Sequence, residues 1–481
     1  MRPLSARTQT RLRTGASALL ITVFGLLATG CGTKPTTSTT IPIRIWRINQ
    51  DVDPIRDVLT QFMRSNTNVQ ITYKKNVLDG YELASLQSLA ARTGPDIWSF
   101  PNDWMGDHQD SLTPVPANYF FPDKAKTGPD PVTAVKSLFP PGIAEQLIGT
   151  DNQVYGIPTN VDTLQLYYNS DLFSTALSDF RKSMGTNYSD SVYQPVRQLL
   201  SKQPPATWSD LVQQTKYLTQ RSGTTINRSA IALGTADNIP QAEDTLQLLM
   251  LQNGVQVVSS DRTRALFGAQ VVPASGGNPI RPGQDALDFF TSFANPNKDT
   301  YSWNASMPAA LDAFAQGKVA MVIAYSDFGQ QLKVKYPRFS FQVGAIPQVS
   351  TDPAQAPVNF ANYTIETVPK VASNTTVAFN VLKAYSDSSD SHSLANEQKL
   401  KSPYLATLQK NTGDWATNQV ITARSVFKKN RPAFDLAFHD MIVAVSQNGD
   451  SSSTALDVAV QKINNILTPP ISTPTPTDNI H

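Results

Sequence analysis

The order of strand and helix patterns between residues 43 and 100 restricts the fold of this chain more than any other feature. The segments IRIW, VQITY and PDIWSF have the pattern of short strands, and two amphipathic helix patterns lie between them. The first of these helices is expected to begin at Pro54. A strand-helix-strand-helix-strand order requires crossover connections and predicts a mostly parallel sheet, which is an α/β fold.

A second α/β unit is predicted further along the chain. Thr207 is placed to cap a helix that continues to about residue 218, and SAIALG follows as a strand. Later, a helix pattern stops near Gly317, a strand is predicted over Val319 to Ala324, and residues 325–328 are expected to form a loop. With 481 residues, of which 40% are hydrophobic, the chain is long enough for sizeable cores.

The residues after the predicted strands point to a small-molecule site. Open parallel sheets bind ligands at the carboxyl ends of their strands, so these positions are the ones to inspect. They combine aromatic rings with hydrogen-bonding side chains, a mixture that suits a sugar, because sugar C–H faces stack on rings and hydroxyls need polar partners. The residues are Trp46, Asn49, Gln50, Phe100, Asp103 and Trp104.

Charge and motif content argue against several other functions. Lys and Arg number 40 against 38 Asp and Glu, so the chain is nearly neutral and nucleic acid is not expected as a partner. The four histidines lie far apart without metal-ligand spacing, so we predict no metal site and no cofactor. The common hydrolase, zinc-protease and phosphate-loop motifs are absent from the sequence, and we expect a protein that is not an enzyme.

The N-terminus is typical of an exported protein. Four arginines among the first 13 residues precede the apolar stretch GASALLITVFGLLATG, which predicts a signal peptide over residues 1–30. Later segments are too short or too polar to predict a transmembrane helix in the mature protein. Cys31 is the only cysteine and follows LLATG, which resembles a bacterial lipobox in which the cysteine carries lipid. The alternative is an ordinary signal-peptidase site and a soluble secreted protein with a leftover thiol.

Both ends of the mature chain have low-complexity sequences. Residues 31–42 are predicted to be a lipidated cysteine followed by a flexible tether, because GTKPTTSTTIP is polar, contains proline and has little that could pack. Residues 469–481, within TPPISTPTPTDNIH, are predicted to be a disordered tail.

Six segments together resemble the extracellular solute-binding proteins of ABC importers, in the family that includes the maltose-binding proteins. They occur in the family's order between about residues 43 and 467, and they are GPDIWSFPNDW, YGIPTNVDTLQLYYNSDLF, PPATWSDLVQQTKYLT, AFAQGKVAM, IETVPKVASNTTVAFNVLKAYS and ALDVAVQKINNIL. The resemblance implies two α/β lobes with the ligand in a cleft between them, joined by three crossings that act as a hinge.

The resemblance also implies lobe boundaries. Residues 43–160 plus about 364–425 would form the N-terminal lobe, and about 163–360 plus 428–468 the C-terminal lobe. The crossings would lie near PTNVDT, NFANYTIET and residues 424–429.

Site residues follow from the resemblance position by position. Trp46 and Asn49, or its neighbour Gln50, match residues after the family's first strand. Phe100 stands where the family has a sugar-stacking ring, and Asp103 matches a carboxylate. Trp104 replaces an arginine that contacts sugar hydroxyls, which weakens the expectation of maltose itself.

Further candidates come from the rest of the chain. Asp162 falls on an acidic ligand-contacting position in the first crossing, and Phe434 lies near an aromatic one. Tyr325, Ser326 and Asp327 lie where the family presents another aromatic platform.

The function implied is capture of a carbohydrate and its delivery to ABC permease subunits. The protein would be a monomer outside the cytoplasm, anchored to the membrane through lipid at Cys31. Two alternatives stay open: a secreted glycoside hydrolase using Asp103 and Asp162 as its carboxylate pair, and a sensor or adhesin lipoprotein without a transport role. The segment from Val271 to Asn304 is rich in Gly, Pro and Asn and is expected to be an inserted loop.

Overall fold

The computed structural model describes residues 40–120, 130–273, 276–386 and 400–468. Its strands are β1 (Ile41–Ile48), β2 (Val69–Asn76), β3 (Ile97–Pro101), β4 (Ile157–Thr163), β5 (Gln165–Tyr168), β6 (Gln220–Ser222), β7 (Thr225–Ala232), β8 (Val319–Ala324), β9 (Gln342–Gly344), β10 (Asn359–Thr367) and β11 (Ala423–Arg424).

The α-helices of the described residues follow in chain order. They are α1 (Arg56–Ser65), α2 (Tyr81–Ala90), α3 (Met105–His108), α4 (Ala117–Phe120), α5 (Pro131–Leu138), α6 (Pro141–Leu147), α7 (Ser170–Met184), α8 (Asp190–Ser201), α9 (Trp208–Leu218), α10 (Ala242–Gln252), α11 (Pro282–Ser292), α12 (Ala310–Ala315), α13 (Ser326–Lys335), α14 (Thr375–Ser386), α15 (Leu405–Leu408), α16 (Trp415–Ile421), α17 (Arg431–Ser446) and α18 (Ser452–Leu467).

The first sheet contains the three strands that the N-terminal pattern predicts. Within the described residues its order is β11-β10-β3-β1-β2, and β4 also pairs with β10. Strand β1 is parallel to β2 and β3, as the alternation of strands and helices requires. Strand β10 is antiparallel to β3 and β4, so the sheet is mixed rather than wholly parallel.

The second sheet has the order β6-β7-β8-β5-β9 among the described strands. Strands β7 and β8 are parallel, and β5 runs antiparallel to both β8 and β9. Every residue of β8 is buried, which explains its continuous apolar sequence VAMVIA.

Each sheet has its own hydrophobic core. One core contains β1, β3 and α14 and includes Trp98 and Tyr385, while the other contains β5, β8, α10 and α17 and includes Trp303 and Phe438. We call the two bodies the first lobe and the second lobe. The two-lobed α/β fold predicted from the sequence is confirmed.

The chain passes between the lobes at the segments where crossings were expected. Strand β4 pairs in the first sheet, and β5 pairs in the second after the single intervening residue Leu164. Strand β10 carries the chain back into the first sheet, and residues 425–430 lead from β11 to α17 of the second lobe. The exact lobe boundaries proposed above stay predictions.

Local signals in the sequence explain several helix starts. The Thr207 hydroxyl accepts a hydrogen bond from the Asp210 N–H at 3.0 Å and caps α9, as predicted. A short 3₁₀ turn at Asp53–Ile55, with Pro54 in it, precedes α1.

Three local expectations need correction. Strand β1 begins at Ile41, because the last residues of the expected tether pair with Val69 and Gln70 of β2. Residues 326–328 are the first turn of α13 rather than a loop. The segment 271–304 contains α11, whose Ala286, Leu287 and Phe290 are buried. An inserted loop is therefore the wrong description of that segment.

Other expectations fall outside the described residues, namely the signal peptide, the lipid site at Cys31 and the tail at 469–481. Among the residues that the structure does describe, no helix is both long and apolar enough to cross a membrane.

Candidate binding site

The carboxyl ends of β3 and β8 meet at a small cavity between the lobes. Asp103 follows β3 in the first lobe, and Tyr325 follows β8 in the second. The cavity measures about 10 Å³, which is room for roughly one water molecule. Its lining residues are Asn102, Asp103, Asp244, Tyr325, Phe360, Ala361, Asn362, Ser425, Val426 and Lys428.

A buried lysine holds the second-lobe side of this cavity together. The Lys428 ammonium donates to Asp244 Oδ1 at 3.1 Å and to Asp435 Oδ1 at 2.7 Å, and the lysine side chain is only 5% exposed. Burial opposes the charged form of Lys428, but the carboxylates of Asp244 and Asp435 outweigh it, so the pKa of Lys428 lies above its usual value. The lysine is therefore charged at neutral pH and fixed in place.

Tyr325 joins the same network through its hydroxyl rather than through its ring face. Its Oη donates to Asp244 Oδ2 at 2.9 Å, and its carbonyl oxygen accepts from the Tyr167 hydroxyl at 3.0 Å. Burial and the nearby carboxylate of Asp244 raise the pKa of Tyr325 well above its usual value. Tyr325 is thus neutral and lines the cavity with a hydrogen-bonding hydroxyl.

Asp103 is the first-lobe carboxylate of the site, and its hydrogen bonding is incomplete. Its Oδ2 lies 3.8 Å from Nη1 of Arg431, which begins α17 in the second lobe. Its Oδ1 is buried without a hydrogen-bond partner, and so is Nε of Arg431. Burial raises the pKa of Asp103 to about 6, although the charges of Lys428 and Arg431 pull it down.

Asp162, in contrast, has hydrogen-bond partners on both carboxylate oxygens, and its Oδ1 accepts from Gln165 Nε2 at 3.5 Å. Its Oδ2 accepts from the N–H and the hydroxyl of Ser326, at 3.0 and 2.6 Å. Burial raises the pKa of Asp162 to about 6, and the two Ser326 hydrogen bonds act against that rise. Asp162 therefore ties β4 to the start of α13. It lines a different cavity, with Lys401 and Asp414.

Three aromatic candidates lie inside the cores. Phe100 and Phe434 are fully buried, and Trp104 is 2% exposed. Trp104 stacks on Tyr81 and Phe100 with ring centroids about 6 Å apart, and Phe434 stacks on Phe438 at 5.5 Å. No face of these rings borders the cavity in the described chain, so burial removes them from the candidate site.

The remaining candidates lie elsewhere on the lobes. Trp46 is partly buried, with the Lys74 ammonium 4.0 Å from its ring centroid, and Asn49 is exposed with a φ of 54°. Gln50 is buried, and its carbonyl oxygen accepts from the Tyr73 hydroxyl. Asp327 lines a separate cavity of about 240 Å³ with Asn238 and Gln331.

The sequence reasoning missed Asp244 and Lys428, which line the cavity, and Asp435 and Arg431, which form ion pairs with its lining residues. Two signals pointed to them. The run KKNRP places cations at the start of α17, next to the expected third crossing. Helix α10 is buried over most of its residues, so a carboxylate in its first turn requires a partner.

A larger cavity of about 770 Å³ also borders the third crossing and shares Ser425 and Val426 with the small one. Arg262 of the second lobe spans it, donating to the Ile148 carbonyl oxygen at 2.6 Å and to Gln109 Oε1 at 3.0 Å. The carboxyl ends of β3 and β8 do not line this cavity, so the small cavity is the better candidate.

The described residues contain no group of His, Cys, Asp and Glu side chains arranged to hold a metal ion. The lining of the small cavity offers hydrogen-bonding groups, namely the carboxylates of Asp103 and Asp244, the Lys428 ammonium and the Tyr325 phenol. Three carboxylates, those of Asp103, Asp244 and Asp435, face the two cations Lys428 and Arg431.

Comparisons with known proteins identify the family and the fold of the chain. The sequence profile of a family described as bacterial extracellular solute-binding protein matches residues 57–395. A search of curated proteins by sequence finds no match.

Three similar solved structures cover 89% of this chain. A cyclic alpha-maltosyl-1,6-maltose binding protein from Arthrobacter globiformis is 17% identical, with a TM-score of 0.64 and 99% of its own chain covered. The sugar-binding protein MalE from Xanthomonas citri is 16% identical, with a TM-score of 0.63 and 97% covered. An ABC transporter solute binding protein from Thermotoga lettingae, bound with alpha-D-tagatose, is 17% identical, with a TM-score of 0.59 and 100% covered. At such identities the likeness establishes the fold.

Proposed function

Since the chain belongs to the family of bacterial extracellular solute-binding proteins, we propose that it captures a carbohydrate between its lobes and delivers it to an ABC importer. The similar structures named above include proteins whose names or bound ligands are sugars, and this supports the solute class. The binding residues we propose are Asp103, Asp244, Tyr325, Lys428 and Arg431.

One observation carries the proposal: Asp103 and Arg431 come from opposite lobes, their charged groups lie 3.8 Å apart, and each has a buried polar atom without a hydrogen-bond partner. Asp103 Oδ1 belongs to the first lobe and Arg431 Nε to the second. Buried polar atoms without partners are uncommon and costly. A hydroxyl can donate to a carboxylate and accept from a guanidinium at the same time. Neighbouring hydroxyls of a sugar would therefore satisfy both lobes together.

The small volume of the cavity implies that the lobes move. About 10 Å³ holds one hydroxyl-sized group and not a whole sugar ring, so a solute must enter while the lobes are further apart and place only such a group between Asp103 and Arg431 on closure. Because only the closed arrangement brings Asp103 and Arg431 to the same solute, binding favours closure.

The site suggests that hydrogen bonds contribute more to affinity than ring stacking does. Phe100, Trp104 and Phe434 are in the cores, whereas the cavity is bordered by carboxylates, Lys428 and the Tyr325 hydroxyl. Hydrogen bonds to charged groups are worth about 1.5–3 kcal/mol each. We therefore expect a compact, hydroxyl-rich solute.

We also propose that the protein releases the solute chemically unchanged. A glycoside hydrolase needs two carboxyl groups on either side of one glycosidic bond. Asp103 and Asp162 line different cavities, and both protons that Asp162 Oδ2 accepts come from Ser326. Their arrangement argues against a catalytic pair, and the proposed function uses no cofactor.

We also propose that a signal peptide over residues 1–30 exports the protein and that lipid at Cys31 anchors it to the membrane. Residues 469–481 would form a tail, and the protein would act as a monomer. These positions rest on the sequence alone. Metabolic labelling with a radioactive fatty acid should label the wild-type protein and not Cys31→Ser. Equal labelling of both would contradict the lipid anchor.

A thermal-shift screen tests the solute class. The protein carrying Cys31→Ser is screened against mono- and oligosaccharides, polyols, peptides and glycerol phosphates. A ligand at 100 times its Kd adds about 2.7 kcal/mol of stability, which raises Tm by a few degrees. We expect a sugar or polyol to raise Tm, to be recovered intact by chromatography, and to bind more weakly to Asp103→Ala.

Other results of the screen would redirect the proposal. Consumption of the sugar would indicate a hydrolase. Hits only among peptides or phosphates would contradict a carbohydrate solute, and an absence of hits would favour the sensor or adhesin alternative.

A further inference from the structure

Helix α17 of the second lobe is capped by a carboxylate from the first lobe. Its N-cap residue, Asn430, has a φ of 46° and makes no capping hydrogen bond with its own side chain. Instead, Asp107 of α3 accepts from the Asn430 N–H at 2.5 Å and from the Arg431 N–H at 3.2 Å. The cap therefore joins two parts of the chain more than 320 residues apart.

Charge strengthens this contact. The first turn of a helix carries partial positive charge, which a nearby carboxylate stabilises. The first turn of α17 has no acidic residue of its own, so Asp107 supplies the anion. The effect is of moderate size, because Asp107 is exposed to solvent and the charge is screened there.

Close packing of the backbone supports the same contact. Gly106, beside Asp107, lies so close to the third crossing that a Cβ there would come within 1.9 Å of the Lys428 carbonyl oxygen and 2.9 Å of the Phe427 ring. Glycine is required for this approach. The turn that carries Asp107 is thus fitted against the crossing and the start of α17.

We propose that Asp107 sets the fraction of molecules that are closed before any solute binds, and thereby tunes solute affinity without touching the solute. Asp107 is absent from the lining of the small cavity. It lies four residues after Asp103, and its partners include the N–H of Arg431. The Asp107 cap and the Asp103–Arg431 contact therefore join the same two segments, and under this proposal they separate together when the lobes open.

The link between closure and affinity is thermodynamic. When only the closed state binds productively, the apparent Kd equals the intrinsic Kd divided by the closed fraction. Losing a helix cap typically costs enough to change an equilibrium about threefold to tenfold. The affinity part of the inference rests on the proposed function, whereas the closure part does not.

The test measures the distance between the lobes without solute. Cys31 is the only native cysteine, so a Cys31→Ser background allows two spin labels to be placed uniquely. Val77→Cys in the first lobe and Val334→Cys on α13 in the second are suitable, since both side chains are well exposed. Pulsed electron paramagnetic resonance then reports the distribution of distances between the lobes.

Asp107→Ala should shift this distribution toward longer distances, and Asp107→Asn, which keeps an acceptor but loses the charge, should shift it less. The matched control is Asp130→Ala. Asp130 is also an exposed cap, but it accepts from the Thr133 N–H at 3.0 Å to cap α5 within its own lobe. The control should leave the distance distribution unchanged, even where both alanine variants lower Tm equally.

An unchanged distribution in Asp107→Ala would overturn the inference, and so would an equal shift in Asp130→Ala. A sugar found by the screen adds a second readout: Asp107→Ala should weaken its binding about threefold to tenfold. Failure to find any sugar would count against the proposed function and would leave the distance result valid.

Discussion

Asp103 and Asp162 look alike from the sequence and differ in the folded molecule. Both were expected to contact solute, and burial raises the pKa of each to about 6. Asp162 accepts two hydrogen bonds from Ser326, whereas Asp103 Oδ1 has no partner and its Oδ2 lies 3.8 Å from Arg431.

The difference shows that a raised pKa does not by itself identify a binding residue. Desolvation raises the pKa of any buried carboxyl group, whatever its role. What separates the two is the number of hydrogen bonds still available. Asp162 is fully occupied in joining β4 to α13, and Asp103 is available to a solute.

The largest effect should come from Lys428→Met. Removing the ammonium leaves the partly buried Asp244 and Asp435 without their cation, and because the lysine itself is buried the loss should reach up to about 3–5 kcal/mol. Urea unfolding at pH 7 should show this loss. The pKa of Asp103 should rise further, because Lys428 holds it down, while that of Asp162 should not change. Equal pKa changes at Asp103 and Asp162 in this variant, measured by NMR, would contradict the difference described between the two carboxyl groups.

The next largest effect should be a difference in stability between Asp162→Ala and Asp103→Ala. Asp162→Ala leaves the N–H and the hydroxyl of Ser326 without their acceptor and should lower the free energy of unfolding by about 1–3 kcal/mol. Asp103→Ala removes a desolvated carboxylate and should lower it by less than about 1 kcal/mol. Urea unfolding of both variants checks the order, and a reversed order would show that the partner assignment is mistaken.

Solute affinity should depend on pH through Asp103. A solute hydroxyl donates to the ionised carboxylate, so protonation of Asp103 weakens binding as pH falls through about 6. From pH 7 to pH 5 the loss should approach about tenfold, or about 1.4 kcal/mol. Calorimetric titration at a series of pH values should show this fall in the wild-type protein and a flat profile in Asp103→Asn. A flat wild-type profile would mean that Asp103 does not accept from the solute.

The smallest effect is expected for Trp104→Phe. Trp104 lies between Tyr81 and Phe100 in the first core, and its Nε1 has no hydrogen-bond partner. Solute affinity should therefore change by less than about twofold. A loss of tenfold or more, with Tm preserved, would return Trp104 to the binding site as a stacking surface.

Much of the fold could be predicted from short-range patterns. The alternation of strands and helices before residue 101 gave β1, β2 and β3 in their parallel arrangement, and Thr207 marked the start of α9. These features depend on residues close together in sequence, so periodicity and capping rules reach them. The antiparallel pairing of β10 with β3 joins residues more than 260 apart and has no local signal.

The site was less predictable, because lying at a strand end does not determine which way a side chain points. Phe100 lies near the end of β3 and Asp103 two residues after it, yet the ring packs against Trp98 in the core and the carboxylate lines the cavity between the lobes. The charged residues Asp244, Lys428 and Asp435 meet only through folding. Long-range charge pairing of this kind cannot be read from one sequence.

The most direct test of the account is calorimetric titration, at pH 7.5, of the sugar found by the screen into Asp103→Asn and Asp162→Asn. We predict that Asp103→Asn binds at least about tenfold more weakly than the wild-type protein, because it loses a charged acceptor in contact with solute. Asp162→Asn should stay within about threefold of the wild-type affinity once both proteins are shown to be folded. Wild-type affinity in Asp103→Asn, with binding lost in Asp162→Asn, would contradict the placement of the solute between Asp103 and Arg431.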